Sequence, residues 1–204
     1  AALIVIAKPI ITVIYEHGAF SAEDTVATYT ALMAFAVGLP AFLMVKIFAP
    51  GFYAMKDTKT PFKIAMVCVV LNLVLNLTLI RFIDHVGMAL ATSIASWVNV
   101  ALLSRILYKR GIFRPDATLK RRMGRMGGAV LAMVLVLLAM SGLFAEALAG
   151  EKMMRTLVLG AMVALGGVTY LAVAWFSGGV DRDQVLGLFR RKAGAATPSE
   201  ELEG

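Results

Sequence analysis

Pro61-Phe62-Lys63-Ile64-Ala65-Met66-Val67-Cys68-Val69-Val70-Leu71-Asn72-Leu73-Val74-Leu75-Asn76-Leu77-Thr78-Leu79-Ile80-Arg81-Phe82-Ile83 is the stretch that decides the fold class. Between Lys63 and Arg81 it carries no charge. A helix rising about 1.5 Å per residue covers a hydrocarbon core roughly 30 Å thick in such a run. Backbone N–H and C=O groups at that depth meet no water, so the chain must satisfy them internally, and a helix does so. The start is also marked. Thr60 is expected as N-cap, and Pro61 occupies the first turn, where its missing N–H costs nothing.

Working outward, comparable runs lie at about 1–14, 26–49, 86–108, 127–149 and 156–177. With 61–83 they predict one truncated and five complete spans within residues 1–180, followed by a tail at 181–204 whose end, from 193, reads as disordered. The expected fold class is therefore all-α, a polytopic integral membrane helix bundle. Composition agrees, with 60% hydrophobic and 16% charged residues over 204, against ~45–50% apolar residues in soluble domains. Gly38 and Pro40 predict a kink inside 26–49, and Gly87 predicts the close turn between 61–83 and 86–108. The chain opens Ala1-Ala2-Leu3 without Met or an n-region, which reads as the end of a cut helix and the whole as a fragment.

Charge orients the spans. Lys56, Lys59 and Lys63 lie in the linker 50–63, and Lys109, Arg110, Arg114, Lys120, Arg121, Arg122 and Arg125 in the linker 109–125. The intervening loops are poorer in base: 15–25 has Glu16, Glu23 and Asp24 with no Lys or Arg, 81–86 has only Arg81, and 146–155 balances Lys152 and Arg155 against Glu146 and Glu151. The basic loops are thus expected in the cytoplasm, together with the tail carrying Arg182, Arg190, Arg191 and Lys192. The formal charge of +7 is read as this topology signal, and nucleic acid is set aside as a partner.

Two stretches go beyond hydropathy: Gly18-Ala19-Phe20-Ser21-Ala22-Glu23-Asp24, and Ala49-Pro50-Gly51-Phe52-Tyr53-Ala54-Met55-Lys56-Asp57-Thr58-Lys59-Thr60-Pro61. Together they resemble the bacterial lipid II flippases of the MurJ (MviN) family, where a G-x-F-[ST]-x-x-D loop precedes the tenth helix and an A-P-G-F-Y-x-x-x-D-x-K-T-P loop follows it. The resemblance covers residues 1–180. It implies the end of helix nine and helices ten to fourteen of a multidrug/oligosaccharidyl-lipid/polysaccharide exporter fold in the bacterial cytoplasmic (inner) membrane. It further implies translocation of the lipid-linked peptidoglycan precursor, lipid II, with membrane lipids and the missing N-terminal half of the same protein as partners.

For Gly51, Phe52, Tyr53, Asp57, Lys59, Thr60 and Pro61 a structural role is favoured: Gly for a tight turn, Phe and Tyr as interfacial anchors, Asp57 for loop or helix donors, Thr-Pro to open a helix. The functional alternative is a cytoplasmic gate. Lys46 is expected to snorkel, whereas Lys8, beside Pro9, could meet a cavity through an opened helix. The basic linker 109–125 suits anionic headgroups. Gly128 and Ala132, Gly160 and Ala164, and Gly166-Gly167 give the small-residue spacing that lets helices approach closely. The resemblance implies in addition a groove for a polyprenyl tail there.

Asn72 and Asn76 share a helix face, and Met88 offers a carbonyl one turn from the Thr92 hydroxyl. Hydrogen bonding to neighbouring helices is the simpler reading. The resemblance implies the other, a sodium site whose Asn, carbonyl and Thr ligands match these positions; it expects an acid where this chain has Asn76. No resident cofactor is expected beyond that coupling ion, and proton or membrane-potential coupling is the alternative. Cys68 stands alone, and His17 and His85 have no ligand-spaced partners, so neither an enzyme nor a thiolate metal site is expected. A cation-coupled multidrug or polysaccharide-lipid exporter of the same superfamily and a non-transporting membrane scaffold are the rival functions.

Overall fold

In a computed structural model the described residues are 1–15, 21–113, 116–144 and 152–177. They form α1 (Ala2–Val5), α2 (Ala7–Tyr15), α3 (Ala22–Ala54), α4 (Lys59–Lys109), α5 (Ala117–Leu143) and α6 (Lys152–Phe176), with no strand among them. The chain is an all-α helix bundle, and α3 to α6 are each long and apolar enough to cross a membrane. The tail with Arg182, Arg190, Arg191 and Lys192, His17, Arg114, and Glu146 and Glu151 lie outside the described residues.

Three places show how local chemistry shapes these helices. The first is the break at Ile6 between α1 and α2. Pro9 cannot donate to the carbonyl of Val5, and its ring crowds that carbonyl, so the opened helix expected beside Lys8 begins two residues before it. The second is α3, 33 residues long with Pro40 and Pro50 inside it and assigned as one helix. Carbonyls around Pro40 find donors across the interface: Ser93 Oγ donates to Ala34 O at 2.6 Å and Trp97 Nε1 to Val37 O at 3.0 Å. A neighbouring helix thus adds hydrogen bonds to carbonyls on either side of that of Ala36, whose helical donor Pro40 lacks.

The third is α4, whose 51 residues reverse at Asp84 (φ 46°, ψ −130°), giving two limbs, 59–83 and 85–109. The turn expected at Gly87 is therefore centred on Asp84. Gly87 does something else: a Cβ there would lie 2.8 Å from both C and O of Leu79, so glycine lets the limbs touch at the apex.

Packing divides the bundle. Phe52 of α3 with Ile64, Cys68, Leu103 and Leu107 of the two limbs forms one core, closed by an edge contact of Phe48 with Phe113 at 5.2 Å. A second core joins Ile6, Leu137 of α5 and Met162 of α6. The outer face of the first limb, with Phe62, Met66, Val69, Val70, Leu73 and Leu77, is more than half exposed and apolar, as a hydrocarbon-facing surface must be. Helix α5 starts at Ala117, capped by Asp116 whose Oδ1 accepts the Ala117 N–H at 2.7 Å. Lys120, Arg121, Arg122 and Arg125 are accordingly helical, where a linker was expected.

Candidate functional site

Asp57 is the residue on which the long motif converges. Helix α3 ends in a Schellman turn: Lys56 is left-handed (φ 57°), its N–H donates to Tyr53 O at 2.9 Å, and the Asp57 N–H donates to Phe52 O at 3.0 Å. The Asp57 carboxylate then opens α4, accepting the Thr60 N–H at 3.0 Å and the Thr60 hydroxyl at 2.7 Å. Finally it pairs with Arg110 at 2.8 Å. Arg110 is the C-cap of α4, lies over the Phe52 ring at 5.6 Å from its centroid, and is followed by a second Schellman turn through Gly111 (φ 73°), Tyr108 O and Leu107 O. One carboxylate therefore ties together the end of α3 and both ends of α4. The Thr60 hydroxyl and N–H, and then Arg110, push its pKa down to about 2.

Several expectations change here. Gly51 makes no tight turn; it is helical, and a Cβ would sit 3.4 Å from Leu107 Cδ2. Phe52 is fully buried and anchors a core, while Tyr53 is half exposed. Thr60 is capped by Asp57 and is not itself the N-cap, and Pro61 is the third residue of α4. Lys59 is exposed at its start. Arg110 was hidden in the sequence among linker bases; the available signal was Asp57, the lone acid between three lysines.

Of the shorter motif, Gly18, Ala19 and Phe20 lie outside the described residues, and Ser21 to Asp24 cap the start of α3. Ser21 and Asp24 form a capping box: Ser21 Oγ accepts the Asp24 N–H at 3.2 Å, and Asp24 Oδ2 accepts the Ser21 N–H at 2.9 Å and its hydroxyl at 2.7 Å. Beside this cap Glu23, Val26, Thr30, Ile83, Asp84 and His85 line an open cleft of ≈ 610 Å³.

Asn72 and Asn76 lie on the packed side of the first limb, and Asn76 Nδ2 donates to Asn72 Oδ1. Thr92 Oγ1 donates back to Met88 O at 2.9 Å. Each pair thus bonds internally, and among the described residues no hydrogen bond links the two pairs. Asn76 Oδ1 is buried with no partner. Of the small residues, Gly166 alone is a packing glycine, with Leu137 Cδ2 3.0 Å from a Cβ placed there; Gly128, Gly160 and Gly167 have nothing within 4 Å. The close helix approach expected at those three is therefore not made among the described residues. Lys8 and Lys46 are both exposed.

Comparison with known proteins now bears on these motifs. The family model described as Lipid II flippase MurJ matches residues 1–177. A protein of Rhizobium meliloti (strain 1021) named "Probable lipid II flippase MurJ" is 35% identical over 206 residues, covering 100% of this chain and 38% of that protein. Its namesakes from Rickettsia prowazekii (strain Madrid E) and Vibrio cholerae serotype O1 are each 34% identical, over 85% and 84% of this chain and 34% and 33% of their own lengths. The chain spans about a third of the length of these curated relatives. With a family model matched across both motif loops and every described helix, the chain belongs to the lipid II flippase MurJ family.

Proposed function

We propose that the protein carrying this chain translocates lipid II, a lipid-linked peptidoglycan precursor, across the bacterial cytoplasmic membrane, with the tail of this chain in the cytoplasm. The family match over residues 1–177 carries the reading, and the relatives named for lipid II favour it over a multidrug exporter or a scaffold. In this role the chain contributes binding surface and moving parts, and no covalent chemistry. The test is complementation: the full-length protein, expressed in a strain depleted of its flippase, restores growth and surface labelling of lipid II. Growth arrest with normal membrane insertion would refute it.

Sodium coupling is a second reading, favoured by Asn76 Oδ1, a buried oxygen lacking a donor. Asn76 and Asn72 amide oxygens, with Met88 O and Thr92 Oγ1 from the facing limb, would hold the ion, and sodium bound there would link transport to its gradient. All four donors are neutral, which suits a monovalent ion of modest affinity. Sodium, compared with choline, should raise the melting temperature of the full-length protein and should not do so after Asn76→Ala; equal melting in both salts disposes of the site.

A further inference from the structure

We infer that the break at Ile6 is a hinge, on which the α5–α6 pair swings relative to a clamped α3–α4 block. The block is fastened at both ends. At one end Asp57 joins α3 to both limbs of α4; at the other, Gly87 seats on the Leu79 backbone. Between them the Ser93 and Trp97 bonds hold α3 to the second limb. A body tied at three levels moves as a unit.

The α5–α6 pair is held differently. Its two helices pack on one another and meet the rest of the bundle chiefly through α1 and α2, which also lie against α3. Ile6 is the non-helical residue between those two short helices (φ −102°, ψ 13°), and it is also the residue seated between Leu137 and Met162. The linkage thus passes through the weakest point of the first helix. Hydrogen bonds do reach across the break, from Ile6 N–H to Ala2 O and from Ile10 N–H to Ile6 O, both at 3.0 Å. The bond from position 9 to Val5 O is the one that proline deletes, and a helix lacking a bond in its ladder bends there at low cost. Hinges in transporting and closing proteins are of this kind, a few element-terminal residues absorbing a backbone change while packed blocks stay intact.

The hinge is independent of which substrate is carried, and spin labels in the full-length protein reconstituted in liposomes test it. Cysteines at Phe82 and Leu143, both largely exposed, report across the two bodies, and cysteines at Phe62 and Tyr108 report within the block, all in a Cys68→Ala background. The first pair should give a broad or two-peaked distance distribution and the second a narrow one. Pro9→Ala restores the donor to Val5 O, so it should narrow the first and leave the second unchanged. Ile6→Ala, which loosens the seat without restoring the bond, should broaden the first. A single narrow distance for Phe82–Leu143 in the unmodified protein, or a distribution indifferent to both substitutions, overturns the hinge. Failure of complementation with these distances intact would instead count against lipid II transport.

Discussion

At the scale of single residues, two backbone positions hold conformations that L side chains avoid. Lys56 is left-handed at the end of α3, and Asp84 (φ 46°, ψ −130°) lies in a region that favours glycine. A left-handed L residue costs roughly 1–2 kcal/mol, and glycine recovers most of this while losing about 0.5–1 kcal/mol to its freer unfolded chain. Lys56→Gly and Asp84→Gly should each stabilise the full-length protein by up to about 1 kcal/mol, read as a higher melting temperature in detergent; Lys56→Ala should bring no gain. Asp57 adds a pH dependence. Its folded pKa, about 2, is below the ordinary carboxylate value, so its stabilisation is complete above the unfolded pKa and is lost as pH falls from about 4 toward 2. Asp57→Asn should therefore melt below the unmodified protein at neutral pH, and that difference should close across this window. A gap constant from pH 7 to pH 2 would mean that the carboxylate's charge contributes nothing.

At the scale of elements, glycine identity separates contact from open surface. Methyl groups at Gly38, Gly87 and Gly166 would meet Ser93 Oγ at 2.5 Å, the Leu79 backbone at 2.8 Å and Leu137 Cδ2 at 3.0 Å. Overpacking of this sort costs typically 1–3 kcal/mol, most where backbone must yield. Alanine should thus be most damaging at Gly87, intermediate at Gly38, and mildest at Gly166, where a leucine tip can shift. At Gly160, with nothing within 4 Å, alanine should be neutral or stabilising by up to ~1 kcal/mol, since it is the better helix former. Thermal unfolding of the four variants checks the order. A Gly160→Ala as harmful as Gly87→Ala would show that another part of the protein covers that face.

At the scale of the whole molecule, alternating basic and base-poor loops predict the orientation. In a Cys68→Ala background, a cysteine replacing Glu23 should react with an impermeant maleimide in intact cells, and one replacing Thr118 only after permeabilisation. Labelling of position 118 from outside would invert the topology.

What the sequence determined by itself was the all-α class, because a run such as 64–80 without a charge has one low-energy solution in a bilayer, and the family, because thirteen consecutive residues from Ala49 to Pro61 are specific as text. It misplaced the cap of α4: Thr60, expected as N-cap, is instead bonded by Asp57 three residues before it, and the Ser21–Asp24 capping box went unread. Only the tertiary structure decided which long-range partner each motif serves. That Asp57 pairs with Arg110 and that Gly38 makes room for Ser93 are contacts across more than fifty residues, and local periodicity cannot encode them. The same holds for small residues: Gly160 and Gly166 are alike in a helical sequence, yet one faces open space and the other a leucine. Whether a glycine packs is fixed by which helix lies opposite.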